Sequence, residues 1–424
     1  MTPYPLILAS TALALLATCS QVTAADWSHI MGPQFDRKTS EGATGSWSGG
    51  QPKRIWEISA PGGFSSFVTG DGKAFTVLPT TVKGRTRETA VAVDRKTGRT
   101  LWQTPLGESD YARGGDKGAP GNDGGDGPRA TPVFANGRVF VFGGAFDLYA
   151  LESGTGRILW KHNLIKEFGG QELHWSNSAS PLVVGDRVIV AGGGTNQTFL
   201  AFKAGSGEVL WKSGSDRPTY STPVLATLHG KAQALFMVER GLVSLDPDTG
   251  AELWHYPFPY RTATAASPVV WNDIVNCTAG YGVGGGACKV TRTGDKWQVA
   301  ELWRSPGNKD TASHWSTAVV HEGYLYGCYG HGDYGRGSFK CIDIRTGKVQ
   351  WQKPGFGHGQ VILAGNRLLA TTDAGELTLI EPNPKAYREL ARADIIDGKV
   401  WASPALSDGQ VFLRSTTHGV CVEL

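Results

Sequence analysis

Seven tryptophans recur along this chain at nearly even intervals, and any fold it adopts must give each of them an equivalent place. Trp56, Trp102, Trp160, Trp211, Trp254, Trp303 and Trp351 lie 46, 58, 51, 43, 49 and 48 residues apart. Each closes the same short unit. VAVDRKTGRTLW (91–102), YALESGTGRILW (149–160), LAFKAGSGEVLW (200–211), VSLDPDTGAELW (243–254) and KCIDIRTGKVQW (340–351) align without a gap. ACKVTRTGDKWQVAELW (287–303) is the same unit with an insertion, and TLIEPNPKAYREL (378–390) is a degenerate copy with Leu390 in the tryptophan's place. A period near fifty residues marks a repeat architecture, in which each unit buries its apolar face against its neighbours.

Within the unit apolar residues alternate, the period of a strand and not of a helix. The strand runs into a polar Asp-x-x-Thr-Gly turn, where Asp or Thr can bond free amides and Gly accepts positive φ. A second strand then ends in Leu-Trp. Upstream of each unit sits another strand pair, as in ATPVFANGRVFVFGG (130–144) and SASPLVVGDRVIVAGGG (178–194). Two pairs make a four-stranded antiparallel meander, the size of one propeller blade. The 58 glycines, 14 tryptophans and 19% charged residues among 424 suit many short strands and tight turns.

The motif recurs around residues 92, 150, 201, 244, 288, 341, 379 and 421. This predicts an all-β single propeller of eight four-stranded blades, or of seven if the degenerate copy is a loop. The chain finishes on GVCVEL (419–424), a first strand without a second, and the matching second strand, KRIW (53–56), lies near the other end. Pairing the two would close the ring and remove exposed sheet edges. The recurring tryptophans would then dock each blade on its neighbour.

The strand–turn–strand unit ending in Leu-Trp resembles the repeat of pyrroloquinoline-quinone (PQQ) dehydrogenases, which BamB-like outer-membrane assembly propellers share. WSHIMGPQFDRKTSEG (27–42), HWSTAVVHEGYLYG (314–327) and GFGHGQVILAGNRLL (355–369) are similar to exported bacterial PQQ-binding-like propeller-repeat proteins. The resemblance covers nearly all of the chain beyond its leader. It implies the fold but not an activity, because this repeat serves enzymes and scaffolds alike. The enzymes it brings to mind are usually much longer and carry an adjacent cysteine pair, calcium or lanthanide ligands and an Asp base. Here there is no Cys-Cys dipeptide, no Cys-x-x-Cys-His haem attachment, and no acid–amide set nearer than Glu172 and Asn177. No cofactor is therefore expected; PQQ with calcium is the alternative to test.

Candidate binding chemistry gathers in the loops that join the last strand of one blade to the first of the next, on the face they share with the loops between second and third strands. The loop 105–129 carries Tyr111, Arg113, Asp116, Lys117, Asp123, Asp126 and Arg129. Later loops bring His174, Trp175, Tyr220, Arg261, His314, Trp315, His358 and Trp401 to the mouths of inner strands, and blade 6 adds Tyr329, His331, Asp333, Tyr334 and Arg336. Converging aromatic, His and Arg side chains over a central funnel would suit a planar, anionic or sugar-like ligand. The bland alternative is that they cap the channel and bond backbone groups.

Cys277 and Cys328 take one place in the second strands of blades 5 and 6, and Cys288 and Cys341 one place in the third strands. An oxidising compartment and this hairpin-like spacing predict disulfides Cys277–Cys288 and Cys328–Cys341. Otherwise these cysteines, with Cys421, are small buried apolar side chains, and four free thiols near one another could capture a soft metal. The segments 280–285 and 330–335 both fit G-x-G-x-x-G, but each links two strands, whereas a dinucleotide site needs a helix after the glycines. The acidic glycine run around Asp123 and Asp126 lacks the spacing and closing Glu of a calcium loop. No catalytic residue and no metal site is assigned.

Residues 1–24 read as a secretory signal. The apolar run from Pro5 to Ala17 falls short of the roughly 20 residues that span a bilayer. It precedes Val22-Thr23-Ala24, small side chains suited to a signal peptidase. The segment before the run has no Lys or Arg, and Thr18 is bulky for a lipid-acceptor site at Cys19. A leading segment (25–52) and the propeller (53–424) follow. A net charge of +3 without a basic run excludes nucleic acid as the expected partner. The expectation is a periplasmic or extracellular monomer that binds a protein, peptide or carbohydrate on its loop-rich face without catalysis. A small PQQ-dependent oxidoreductase is the competing class.

Overall fold

The computed structural model describes residues 26–43, 47, 50–108, 127–330 and 336–424. The leader with Cys19, the loop residues Tyr111, Arg113, Asp116, Lys117, Asp123 and Asp126, and His331, Asp333 and Tyr334 lie outside the described residues.

Strands alternate with tight turns, and eight sheets result, each with four antiparallel strands, one of them joined by a short fifth strand. We call the strands of each blade A to D from the channel outwards. Blade 1 comprises Val68–Gly70, Lys73–Val82, Arg85–Asp94 and Thr100–Glu108. Blades 2 to 7 repeat this order, with A strands at Val133–Ala135, Leu182–Val184, Val224–Leu228, Val269–Trp271, Val319–His321 and Val361–Ala364. Blade 8 takes Ala405–Ser407, Gln410–Arg414 and His418–Glu423 from one end of the chain and Lys53–Ser59 from the other. A strands touch at six of the eight junctions, that of blades 8 and 1 included; the D strands of blades 4 and 5 meet, and Gln360 Nε2 of blade 7 donates to the Trp401 carbonyl before blade 8, so the sheets form a closed ring. The degenerate copy is a full blade, and the count is eight. The one described helix, Leu164–Phe168, follows blade 2.

A register shift lies between strands C and D in every blade, beside the tryptophan position. Such a bulge bends its strand and re-aims a side chain. The tryptophan is thereby turned onto the C–D turn of the next blade. The indole N–H groups of Trp56, Trp102, Trp160, Trp211, Trp303 and Trp351 donate to the carbonyls of Arg95, Ser153, Ala204, Pro247, Ile344 and Asn383, at 2.7–3.1 Å. The turn glycine completes the fit. Gly156 has φ +72°, and a Cβ there would meet the Trp102 ring at 2.5 Å. This is why the motif couples Gly to Trp across some fifty residues: the two belong to different blades and touch.

The two departures share one cause. Blade 5 replaces the tight turn with the long hairpin Gly284–Thr293 and Lys296–Ser305, so Trp254 of blade 4 has no turn carbonyl to reach. Its indole donates instead to Gln233 Oε1 of its own blade, at 2.6 Å. Blade 8 has no C–D turn, because its C and D strands come from opposite ends of the chain. At the tryptophan's place blade 7 carries Ala391, opposite Leu379, while Leu390 falls in the bulge and is partly exposed, as Leu101 and Leu302 are; the alignment that put Leu390 there is corrected by one residue.

The segment 26–43 crosses the axial channel. Trp27 and Thr69 exchange hydrogen bonds (2.8 and 2.9 Å), and Ser28 accepts from the Phe134 amide. Phe35 packs among the cores of blades 3 to 5. Lys38–Thr39 then pairs in parallel with the blade 7 A strand. Chain from one end thus touches blades 1 and 2 on one side of the ring and blade 7 on the other.

The expected disulfides are corrected. Cys277, Cys288, Cys328, Cys341 and Cys421 are free and buried. Register is the reason: Cys277 lies opposite Gly286 and Cys288 opposite Val275, while Cys328 lies opposite Phe339 and Cys341 opposite Tyr326. Each pair is diagonal, which places the Cα atoms roughly 7–8 Å apart, beyond the roughly 4.4–6.8 Å that a disulfide spans. Among the described residues no cluster of three or more His, Cys, Asp or Glu could hold a metal. Burial pushes the thiols of Cys288, Cys341 and Cys421 up to about 12 and that of Cys277 well above its usual value. Thiolate is the reactive form, so native protein at pH 8 is expected to resist iodoacetamide at all five. Protein unfolded without reductant should be alkylated at all five, and mass analysis finding any protected pair would contradict this register.

Candidate functional site: an aromatic pocket on the ring axis

Each A strand is preceded by one polar residue that faces the channel. The amides of Ser66, Thr131, Ser180, Ser267 and Ser403 donate to the hydroxyls of Thr131, Ser180, Thr222, Thr317 and Ser66 in the next blade, at 2.7–3.2 Å. Blade 7 has Gln360 at this place. Arg37, from the crossing segment, spans that junction: Nη2 donates to Ser403 Oγ (2.7 Å) and Gln360 Oε1 (3.3 Å), and Nε to the Val361 carbonyl (2.8 Å).

Above this girdle lies a cavity of about 400 Å³. Its floor is Ile30, Met31 and Arg37, and its wall is aromatic. Trp175 stacks on Tyr281 at 6.1 Å and 14°, and Tyr281 meets His314 edge-on at 4.7 Å. His314, Trp315 and Trp401 follow at successive centroid distances of 4.3 Å, and Phe64 closes against Trp401 at 4.8 Å. The side chains come from the D–A loops, with Tyr281 from the B–C loop of blade 5. A second cavity lies beyond Met31, between the crossing segment and the apolar A strands of blades 4 to 6.

Six of the nine funnel residues expected from sequence line the pocket: Arg129, Trp175, Tyr220, His314, Trp315 and Trp401. The Arg129 guanidinium donates to the Trp175 carbonyl, and the Trp175 amide donates to the Tyr220 hydroxyl. Burial raises the pKa of that phenol, which stays protonated at neutral pH. The other three sit outside. His174 is exposed and packs edge-on to Trp175 (4.7 Å), Arg261 is exposed beside the Gly282 turn, and His358 is buried behind Trp315 (4.3 Å). Asn177 has no capacity left for a metal, because its amide bonds the backbone of Phe142 and Ala179 on both donor and acceptor sides. Glu172 is exposed. Arg37, Met31, Ile30, Phe64 and Tyr281 are the pocket residues that sequence reasoning missed. Tyr281 was hidden in the glycine run 280–285, which joins two strands.

Two tryptophan donors stand out. The indole N–H groups of Trp315 and Trp401 are buried without a hydrogen-bond acceptor among the described residues. A buried donor left unpaired costs about 1–3 kcal/mol.

An eight-bladed propeller with one ringed, aromatic-walled pocket on its axis is the class of protein these features define. The family model described as outer membrane protein assembly factor BamB matches residues 86–327 and 335–422, and the chain belongs to that family. It is also 25% identical to the quinoprotein ethanol dehydrogenase of Pseudomonas aeruginosa over 146 residues, 31% of this chain. That match spans only 23% of the dehydrogenase's length. Among solved structures, BamB from Moraxella catarrhalis superposes with a TM-score of 0.59 at 14% identity, covering 88% of this chain and 98% of that one. A quinohemoprotein alcohol dehydrogenase from Pseudomonas putida gives 0.67 at 14%, covering 94% and 80%. At such identities the structural likeness speaks for the fold alone. No helix among the described residues is long and apolar enough to cross a membrane.

Proposed function

We propose that this chain is an exported, non-catalytic binding propeller that takes a protruding group of a protein, peptide or carbohydrate partner into its axial pocket. One observation carries this reading: the wall of an axial cavity is built of aromatic faces that converge from several blades. A pocket of a few hundred Å³ with apolar walls and few placed polar groups is the usual form of a ligand site.

Titration of the protein with peptides and soluble glycans, followed by tryptophan emission, tests the reading. Trp315→Phe keeps an aromatic face and removes the donor. It is expected to weaken the ligand found by about threefold, because the smaller ring offers less stacking surface to the cavity, with thermal stability unchanged or raised. Equal loss of binding and stability would mark Trp315 as structural.

The likeness to quinoprotein ethanol dehydrogenase favours a second reading, a small PQQ-dependent oxidoreductase. The described lining fits this poorly. It contains no Asp or Glu, so it offers a calcium-bound quinone no carboxylate, either as metal ligand or as base. A rise of several degrees in melting temperature with PQQ and calcium, together with dye-linked alcohol oxidation, would reverse the preference.

A further inference from the structure

Arg37 forms the floor of the pocket, is 2% exposed, and meets only neutral acceptors: one backbone carbonyl, one amide oxygen and one hydroxyl. No carboxylate pairs with it among the described residues. Burial without a counter-charge pulls its pKa down to about 10, so the guanidinium is still charged at neutral pH. A buried charge is tolerated when it is paired. Its bonds at Nε and Nη2 hold the guanidinium plane still, and Nη1 is left for a group arriving from the cavity.

We propose that Arg37 is the counter-ion for the carboxylate of an acidic sugar, a uronate-type ring seated in the pocket with its carboxylate on the floor. This rests on the binding reading above and names its ligand class. Charge comes from Arg37 below and Arg129 in the wall, and the described lining has no carboxylate to repel the ligand. The flat faces of Trp175 and Trp401 suit the C–H face of a pyranose. The hydroxyls of Ser178, Thr222 and Thr317 suit its ring substituents. Arg37 enters this site from the crossing segment, so the pocket is complete only when residues 26–43 lie across the channel.

The test uses the full chain with trigalacturonate and its methyl ester, which has the same rings without charge. Wild type is expected to bind the acid about tenfold more tightly than the ester, as one charge-assisted contact provides, and to gain thermal stability only with the acid. Arg37→Met should bring the acid to within about twofold of the ester; Arg37→Lys should fall between, since it keeps charge but not the planar fork. Arg37 also ties blade 7 to blade 8, so where Arg37→Met fails to fold Arg129→Met decides: an acid preference that survives it belongs to Arg37, and one lost with it overturns the assignment. Equal binding of acid and ester overturns the assignment of Arg37 and leaves the binding reading standing. A response to an acidic peptide but to neither sugar overturns the ligand class. Silence towards every glycan and peptide overturns both.

Discussion

Replacing Trp102 with alanine is expected to lower the unfolding free energy by about 3–5 kcal/mol, whereas Leu390→Ala, at the bulge residue just before the tryptophan's place in blade 7, should cost about 0.5 kcal/mol, as for an ordinary surface change. Trp102 is buried, tilts against Phe75 at 5.9 Å, donates to the Ser153 carbonyl at 2.9 Å and lies against Gly156 of the next blade. Truncation removes the indole from an interface that cannot collapse, because four-stranded blades fix the spacing on both sides. It also strands the Ser153 carbonyl. Leu390 has no such turn beside it and is 36% exposed. Urea midpoints at unchanged m-value would report the difference. Comparable losses at the two positions would show that the tryptophan packs within its own blade and that the docking described here is incidental.

That asymmetry bears on what a sequence of this kind makes legible. Strand alternation, turn residues and the tryptophan period are local patterns, and eight blades follow from counting them. The degenerate copy needed more. Glu381, Pro382 and Asn383 look like a lost turn, yet Asn383 still accepts from Trp351, and Leu390, which the motif alignment puts at the tryptophan's place, falls one residue short of it because the ladder skips it and pairs Ala391 with Leu379. The cysteines failed on a matter of two residues. Their places in neighbouring strands were readable, but which residue lies opposite which was not, and a diagonal step separates a bridge from two free thiols.

The pocket was readable in its wall and not in its floor. Trp175, Trp315 and Trp401 sit where the repeat begins, so counting places them on the axis. Arg37 reaches Val361, Gln360 and Ser403 across more than 320 residues, and no periodicity announces such a contact. Its signal was the leading segment itself, whose apolar and basic residues lack the repeat's alternation. His174 and His358 share the local context of their lining neighbours and still miss the cavity, because one points outward and the other lies behind an indole ring.

Val420→Pro should do more than weaken one blade; it should open the ring. Val420 is fully buried in the strand His418–Glu423, between Glu57 on one side and Leu413 on the other. Proline there removes a ladder donor and its ring clashes with the strand, and each buried backbone group left unpaired costs about 1–3 kcal/mol. The comparison that isolates closure is Tyr149→Pro, the same motif position in blade 2. There strand D is still tied to strand C by the turn after Glu152, so damage stays within one sheet. In blade 8 no turn joins Lys53–Ser59 to strand C, and that strand carries Trp56, whose indole docks on Arg95 of blade 1. Losing the pairing therefore frees two interfaces at once and leaves exposed edges on both sides of the gap. Limited proteolysis should cut within 53–59 in Val420→Pro and spare it in Tyr149→Pro, with a larger radius of gyration for the former alone. Equal protection of that strand in both variants would mean the ring is held by contacts other than the pairing of its two ends.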